Sequence, residues 1–206
     1  RLDNVKIQSI TSYSDVQRST IGDLDFTPVF VLDQGEYNNT KSFNQEIRLT
    51  NSNTSSKLDW SIGGFYQTVA RDFFQSDLTF SNDSAVTDYT ATFQTLAVFG
   101  FLDYKNTDKF TASVGLRYDS DNFTLDDRLN VQTDEKSASV PQPKVSLSYQ
   151  ATKNVLVYTN YGKGYRAGGY NPRATDLFKR DFEGETSDNF ELGFKTAHWN
   201  NRFILN

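Results

Sequence analysis

The chain has 206 residues, a net charge of −5 and no cysteine, which excludes disulfides, thiol chemistry and Cys-based metal sites. It carries no basic stripe with which to neutralise phosphates, so nucleic acid is excluded as a partner. Hydrophobic residues make up only 36 % while aromatics reach 15 %, too little aliphatic material for a large solid core but suited to sheets edged by aromatic girdles.

In chain order, two-residue periodicity predicts about nine strands, over 5–16, 43–50, 57–73, 89–104, 110–122, 144–149, 155–165, 189–196 and 202–206. The pattern is cleanest at Phe110, Ala112, Val114, Leu116 and Tyr118, which oppose Thr111, Ser113, Gly115, Arg117 and Asp119. From Phe110 to Tyr118 is about 26 Å at ~3.3 Å per residue. Tilted by ~40°, that covers roughly 20 Å of a membrane normal. Leu58, Trp60 and Ile62 oppose Asp59, Ser61 and Gly63, and Ile47 and Leu49 oppose Glu46 and Arg48. Phe190, Leu192 and Phe194 oppose Glu191 and Lys195. Segments 89–104 and 155–165 are apolar on both faces, and the pattern does not orient them. The longest apolar run, 96–102, is far below the ~20 residues of a membrane helix. A helix has room only in a long connection, around 174–180.

The connections alternate. Short ones at 51–56, 106–108, 151–154 and 197–201 are interleaved with long ones at 19–41, 72–88, 120–143 and 167–185. Short turns force antiparallel neighbours. Short turns at one end and long loops at the other describe an outer-membrane barrel, with periplasmic turns and extracellular loops. The fold class is therefore all-β, an antiparallel meander forming an arc of a transmembrane barrel. The alternatives are a soluble β-rich carbohydrate-binding module and a passive outer-membrane porin. Charges opposite the apolar face, and strands longer than the usual ~5–6 residues, favour the membrane. Glu46, Arg48, Arg117, Glu191 and Lys195 then face a wet lumen.

No catalytic set is visible, and the chain reads as a non-enzyme without a cofactor. Gly162, Gly164 and Ala167 match a dinucleotide fingerprint, but Gly168–Gly169 and Pro172 break the helix that must follow. Asp119, Asp121, Asp126 and Asp127 begin like a calcium loop, yet Thr124 and Asn130 stand where Gly and Glu are needed. The cluster reads as a solvated acidic loop. His198, the only histidine, builds no metal site; beside Trp199 it reads as an interfacial residue.

Two stretches carry a family likeness. One runs Tyr158-Thr-Asn-Tyr-Gly-Lys-Gly-Tyr-Arg-Ala-Gly-Gly-Tyr-Asn-Pro172 and the other Glu185-Thr-Ser-Asp-Asn-Phe-Glu-Leu-Gly-Phe-Lys-Thr196. With Gln45–Leu49, Leu96–Gly100 and Val114–Tyr118 in support, they resemble the barrel of TonB-dependent outer-membrane receptors. The resemblance implies a barrel of about 22 strands closed by a plug. It implies import of a scarce ligand such as a ferric siderophore, with energy delivered by TonB through the plug. The partners it implies are outer-membrane lipid, the receptor's own plug domain, TonB and the small ligand. Residues 1–206 then form part of the barrel domain, a fragment without plug or terminal strand. Tyr165, Arg166 and Tyr170 become ligand contacts near the outer mouth.

Overall fold

The computed structural model describes residues 4–53, 56–79, 83–172, 179–198 and 202–205. Nine strands pair antiparallel in chain order: β1 (Val5–Asp23), β2 (Leu32–Asn51), β3 (Leu58–Thr79), β4 (Asp83–Lys105), β5 (Phe110–Asp127), β6 (Gln132–Thr152), β7 (Val155–Arg166), β10 (Glu185–His198) and β11 (Phe203–Leu205). Between β7 and β10, β8 (Gly169–Tyr170) and β9 (Asp181–Phe182) make a separate two-stranded ribbon. The sheet is a single open layer, with β1 and β11 at its edges.

The register sorts side chains cleanly. Ile62 faces Gly100, which faces Leu116; Trp60 faces Leu102, which faces Val114 and then Val145. These share the apolar face, which no described residue covers: Leu116 is 54 % and Val114 49 % exposed. A sandwich would bury this face beneath a second layer. The opposite face carries Arg48, Gly63, Phe99, Arg117 and Gln142 in one cross-strand row.

Both doubly apolar segments orient in this frame. Leu96, Val98, Leu102 and Tyr104 lie on the apolar face of β4, while Ala97, Phe99 and Phe101 lie on the polar one. In β7, Val157 and Tyr161 join the apolar face, and Tyr158 and Asn160 the polar one. Some of the phenyl rings on the polar face lie under cations. Arg48 sits 5.6 Å over Phe99 and Arg117 5.3 Å over Phe65.

Three of the expected long loops are mostly strand. β1 and β2 run to a connection at 24–31, β3 and β4 extend through Thr79 and Asp83, and β5 and β6 meet at 128–131. The expected strands were too short because beyond the apolar stretch the outer face turns polar, the apolar residues Phe123 and Leu125 fall on the other face, and the alternation loses its frame. The backbone ladder continues regardless. The tight 128–131 turn places Val131 at φ 52°, and Asp127 accepts the Asn130 backbone N–H at 3.0 Å and its Nδ2 at 2.9 Å. On the apolar side of this rim, Arg128 donates to Asp72 (2.7 Å), Asp88 (2.7 Å) and Thr90 (2.6 Å), lashing β3, β4 and β5 together. Only 167–184 remains a long connection. The helix considered at 174–180 falls largely outside the described residues; Lys179 and Arg180 are not helical. His198 is the last residue of β10, paired with Phe203 rather than in a turn, and Trp199 lies outside the described residues.

Candidate functional site

The core is small and sits at the rim on the polar face. Leu125 (1 % exposed) packs with Phe73 and Tyr89, whose rings stack at 5.2 Å, and with Ala91, Phe123 and Tyr170. Tyr170 comes from the β7–β10 connection, which folds back over the polar face as a strap. Its ring lies 6.0 Å from Phe123, and its hydroxyl donates to the Glu135 carbonyl at 2.8 Å. Across the ribbon, Arg180 donates to Asp134 at 2.7 Å and Asp127 at 3.2 Å. Lys136 donates to Glu183 at 2.9 Å and to the Phe182 carbonyl at 3.0 Å, with Asp181 at 3.7 Å. The strap closes tightly at Gly168, where a Cβ would lie 2.5 Å from the Phe182 carbonyl oxygen and 2.8 Å from the Gly184 nitrogen.

These ion pairs tune the rim. The Glu183 carboxylate raises the Lys136 ammonium above the ordinary lysine value. For Asp127, burial pushes the carboxyl up, but hydrogen bonds from Asn130 and the Arg180 guanidinium outweigh it and hold it below the ordinary value. In the β1–β2 connection, hydrogen bonds from Thr27 and Leu32 hold Asp25 low as well.

Between strap and sheet lies a cavity of about 250 Å3, lined by Asp121, Phe123, Lys136, Tyr165, Gly168 and Glu183 among others. The Tyr165 hydroxyl is buried with no hydrogen-bond partner among the described residues. Of the three expected mouth residues, Tyr165 lines this cavity and Tyr170 packs on its Phe123 wall. Arg166 does not join them: its side chain is 80 % exposed, 3.9 Å from Glu185.

The expected wall charges form two groups on the polar face. Glu46, Arg48 and Arg117 line a second cavity of about 380 Å3 with Phe99, Gln142 and Lys144. Arg48 pairs with Glu46 at 2.6 Å and Arg117 with Asp119 at 2.6 Å. Glu191 and Lys195 stand apart, near the short-turn end. Glu191 accepts from the Tyr158 hydroxyl at 2.7 Å and Asn160 at 3.1 Å, and Lys195 lies 5.5 Å over the Tyr158 ring. The four aspartates of the acidic cluster scatter: Asp119 meets Arg117, Asp121 accepts from Thr95 at 2.6 Å, Asp126 accepts from Thr133, and Asp127 holds Arg180. Sequence reasoning missed Lys136, Arg180, Asp134 and Glu183, which no motif marks.

The family profile described as TonB dependent receptor-like, beta-barrel matches residues 2–206. The chain belongs to that family. TonB-dependent receptor barrels sit in the outer membrane of Gram-negative bacteria, so the uncovered apolar face is the one turned to lipid. The chain is 29 % identical over 164 residues to the pesticin receptor of Yersinia enterocolitica, covering 74 % of this chain and 24 % of that protein. Among solved structures, the ferric yersiniabactin uptake receptor FyuA from Yersinia pestis superposes with a TM-score of 0.75 at 22 % identity, over 96 % of this chain and 32 % of that one. The siderophore receptor PiuA from Acinetobacter baumannii gives 0.77 at 15 %, over 97 % and 36 %. The chain thus spans about a quarter to a third of the length of the relatives it matches.

Proposed function

We propose that this chain is wall and extracellular rim of an outer-membrane active-transport receptor, importing a scarce ligand such as a ferric siderophore with energy delivered by TonB. In this reading residues 1–206 are part of the barrel domain, and the receptor's own plug lies against the polar face. Glu46, Arg48, Arg117, Glu191 and Lys195 then face the lumen. The strap cavity is the ligand contact. An orphaned, buried phenol at Tyr165 beside a lysine held by a displaceable carboxylate suits an oxygen-rich chelate. Such a chelate can accept from the hydroxyl and replace Glu183 on Lys136. Arg166, free at the mouth apart from its long contact with Glu185, and Tyr170 complete the set. The named ligands of the similar receptors support a siderophore.

The observation that carries the site is the Tyr165 hydroxyl, buried without a hydrogen-bond partner among the described residues. The test is uptake of iron-55 presented on a panel of siderophores, by cells whose sole receptor is the full-length protein. At least one chelate enters in a TonB-dependent manner, and Tyr165→Phe and Lys136→Gln each lower its binding about tenfold, the loss of one charge-assisted or buried hydrogen bond. No uptake of any chelate defeats the transport reading. Uptake untouched by both variants defeats the site while leaving transport standing.

A further inference from the structure

The strap cavity holds a charge without a counter-ion. Asp121, on the polar face of β5, is 8 % exposed and lines the cavity. Its Oδ1 accepts from the Thr95 hydroxyl at 2.6 Å. Among the described residues, Asp121 has no other hydrogen-bond donor and forms no ion pair. The cations around it are engaged elsewhere: Arg117 with Asp119 at 2.6 Å, Lys136 with Glu183 at 2.9 Å, and Arg180 with Asp127 at 3.2 Å and Asp134 at 2.7 Å. Burial raises the Asp121 carboxyl above the ordinary aspartate value, against the Thr95 hydrogen bond. A buried carboxylate without a counter-ion is costly, and a cation entering the cavity relieves that cost. Tyr165 is the second element. Its buried hydroxyl has no partner among the described residues, and a hydroxyl offers two lone pairs as well as one proton. Phe123 adds an aromatic ring to the lining. Carboxylate, phenol oxygen and aromatic face together make the surroundings an ammonium takes.

We infer that this cavity receives a protonated amine on an arm of the imported chelate, the ammonium donating to Asp121 and to the Tyr165 oxygen. The inference rests on the transport reading above and narrows its ligand to chelates that carry a pendant ammonium. The Tyr165 proton stays free for a chelate oxygen, so both roles of that hydroxyl coexist. At about 250 Å3 the cavity is smaller than the ~300–1,000 Å3 of sites that enclose a whole drug-sized ligand. An arm therefore enters, and the iron-bearing body stays outside. A hard metal ion is a poor occupant, since it takes about six or more oxygens. No group of three His, Cys, Asp or Glu among the described residues could hold one.

The test uses the full-length receptor in phospholipid nanodiscs, with butylammonium as the probe and butanol as its neutral match, read by saturation-transfer NMR. Butylammonium binds about tenfold more tightly than butanol, the difference one charge-assisted hydrogen bond makes. Asp121→Asn keeps the shape of the side chain and an oxygen for Thr95, and it removes the preference. A second readout needs no variant and takes the chelates that enter in the uptake panel. Each carries a free amine, and acetylating that amine weakens its binding about tenfold. Equal binding of butylammonium and butanol overturns the site, as does a preference that survives Asp121→Asn. Entry only of chelates that lack an amine, or acetylation without effect, overturns the ligand class and leaves the transport reading standing. Butylammonium held through Asp121 with no chelate entering defeats transport and with it the chelate arm, and leaves a cation site.

Discussion

An arginine scan up one face of β5 measures how lipid and water divide this sheet. On the apolar face the positions from Phe110 to Tyr118 are spaced two residues apart, about 6.6 Å each along the strand. With a tilt of ~40°, each step climbs roughly 5 Å through the bilayer. Val114 lies halfway along that run, Leu116 one step above it, and Tyr118 at its upper end. An arginine at mid-bilayer costs about 2–4 kcal/mol and near an interface about 0–1. Val114→Arg therefore shifts the folding equilibrium roughly 30- to 900-fold. Leu116→Arg is intermediate and Tyr118→Arg nearly silent. Ser113→Arg, one residue from Val114 but on the polar face beside its partner Asp103, stays within about 1 kcal/mol of the parent. The assay is urea unfolding of the full-length receptor in phospholipid vesicles, read as the folded fraction by gel mobility without heating. Equal cost at Ser113 and Val114, or no dependence on height, refutes the two-solvent reading of this sheet.

Removing the guanidinium in Arg180→Ala leaves Asp127, which is 2 % exposed, without its counter-ion and held, among the described residues, only by Asn130, and releases the strap. About 2 kcal/mol is lost locally, discounted for the partial exposure of Arg180, so amides of β8 and β9 exchange roughly 30-fold faster. The same contact is acid-labile. The Asp127 carboxyl is held below its ordinary value, so its contribution is full above the unfolded carboxylate value and fades as pH falls through the lowered folded one. The strap's protection factor, with intrinsic exchange chemistry divided out, therefore falls in acid and is flat above neutrality. Gly63→Ala puts a Cβ 2.7 Å from the Ile47 carbonyl oxygen and 2.5 Å from the Phe99 ring, and costs about 1–3 kcal/mol in the same unfolding assay. Gly100→Ala, with open space, is neutral or stabilising.

What the sequence made legible is what hydrocarbon imposes. A strand wet on one face and oily on the other must alternate, so the lipid-facing halves of β2, β3, β5 and β10 could be read from single residues. β4 and β7 alternate too, but rings under cations on the wet face hide the signal, as Phe99 beneath Arg48 shows. Above the membrane the outer face meets water and loses its pattern while the inner face packs under a strap from elsewhere in the chain, so the rim hairpins look like loops until their ladders are seen. The site was legible only in part for the same reason. Tyr165 could be named from the family motif, but its partners reach it across the chain. Lys136 is on β6 and Glu183 on the strap, and no local spacing encodes that meeting.

The rim's length follows from the same division. From Tyr118 to Asp127 β5 runs nine residues beyond the apolar stretch, about 30 Å along the strand. A ribbon that far into water has no lipid to hold one face and no second sheet to pack on. Two devices replace them. On the outer side Arg128 ties three strands through charge-assisted bonds. On the inner side the strap supplies the missing layer, giving Phe73, Tyr89 and Leu125 their only dense packing among the described residues. The cavity beside Tyr165 is thus roofed by the piece that stabilises the rim. A ligand that draws Lys136 away from Glu183 must loosen that packing, so binding and rim stability are coupled. If that coupling holds, Glu183→Gln weakens strap protection even without ligand, while leaving unfolding of the lipid-facing band unchanged.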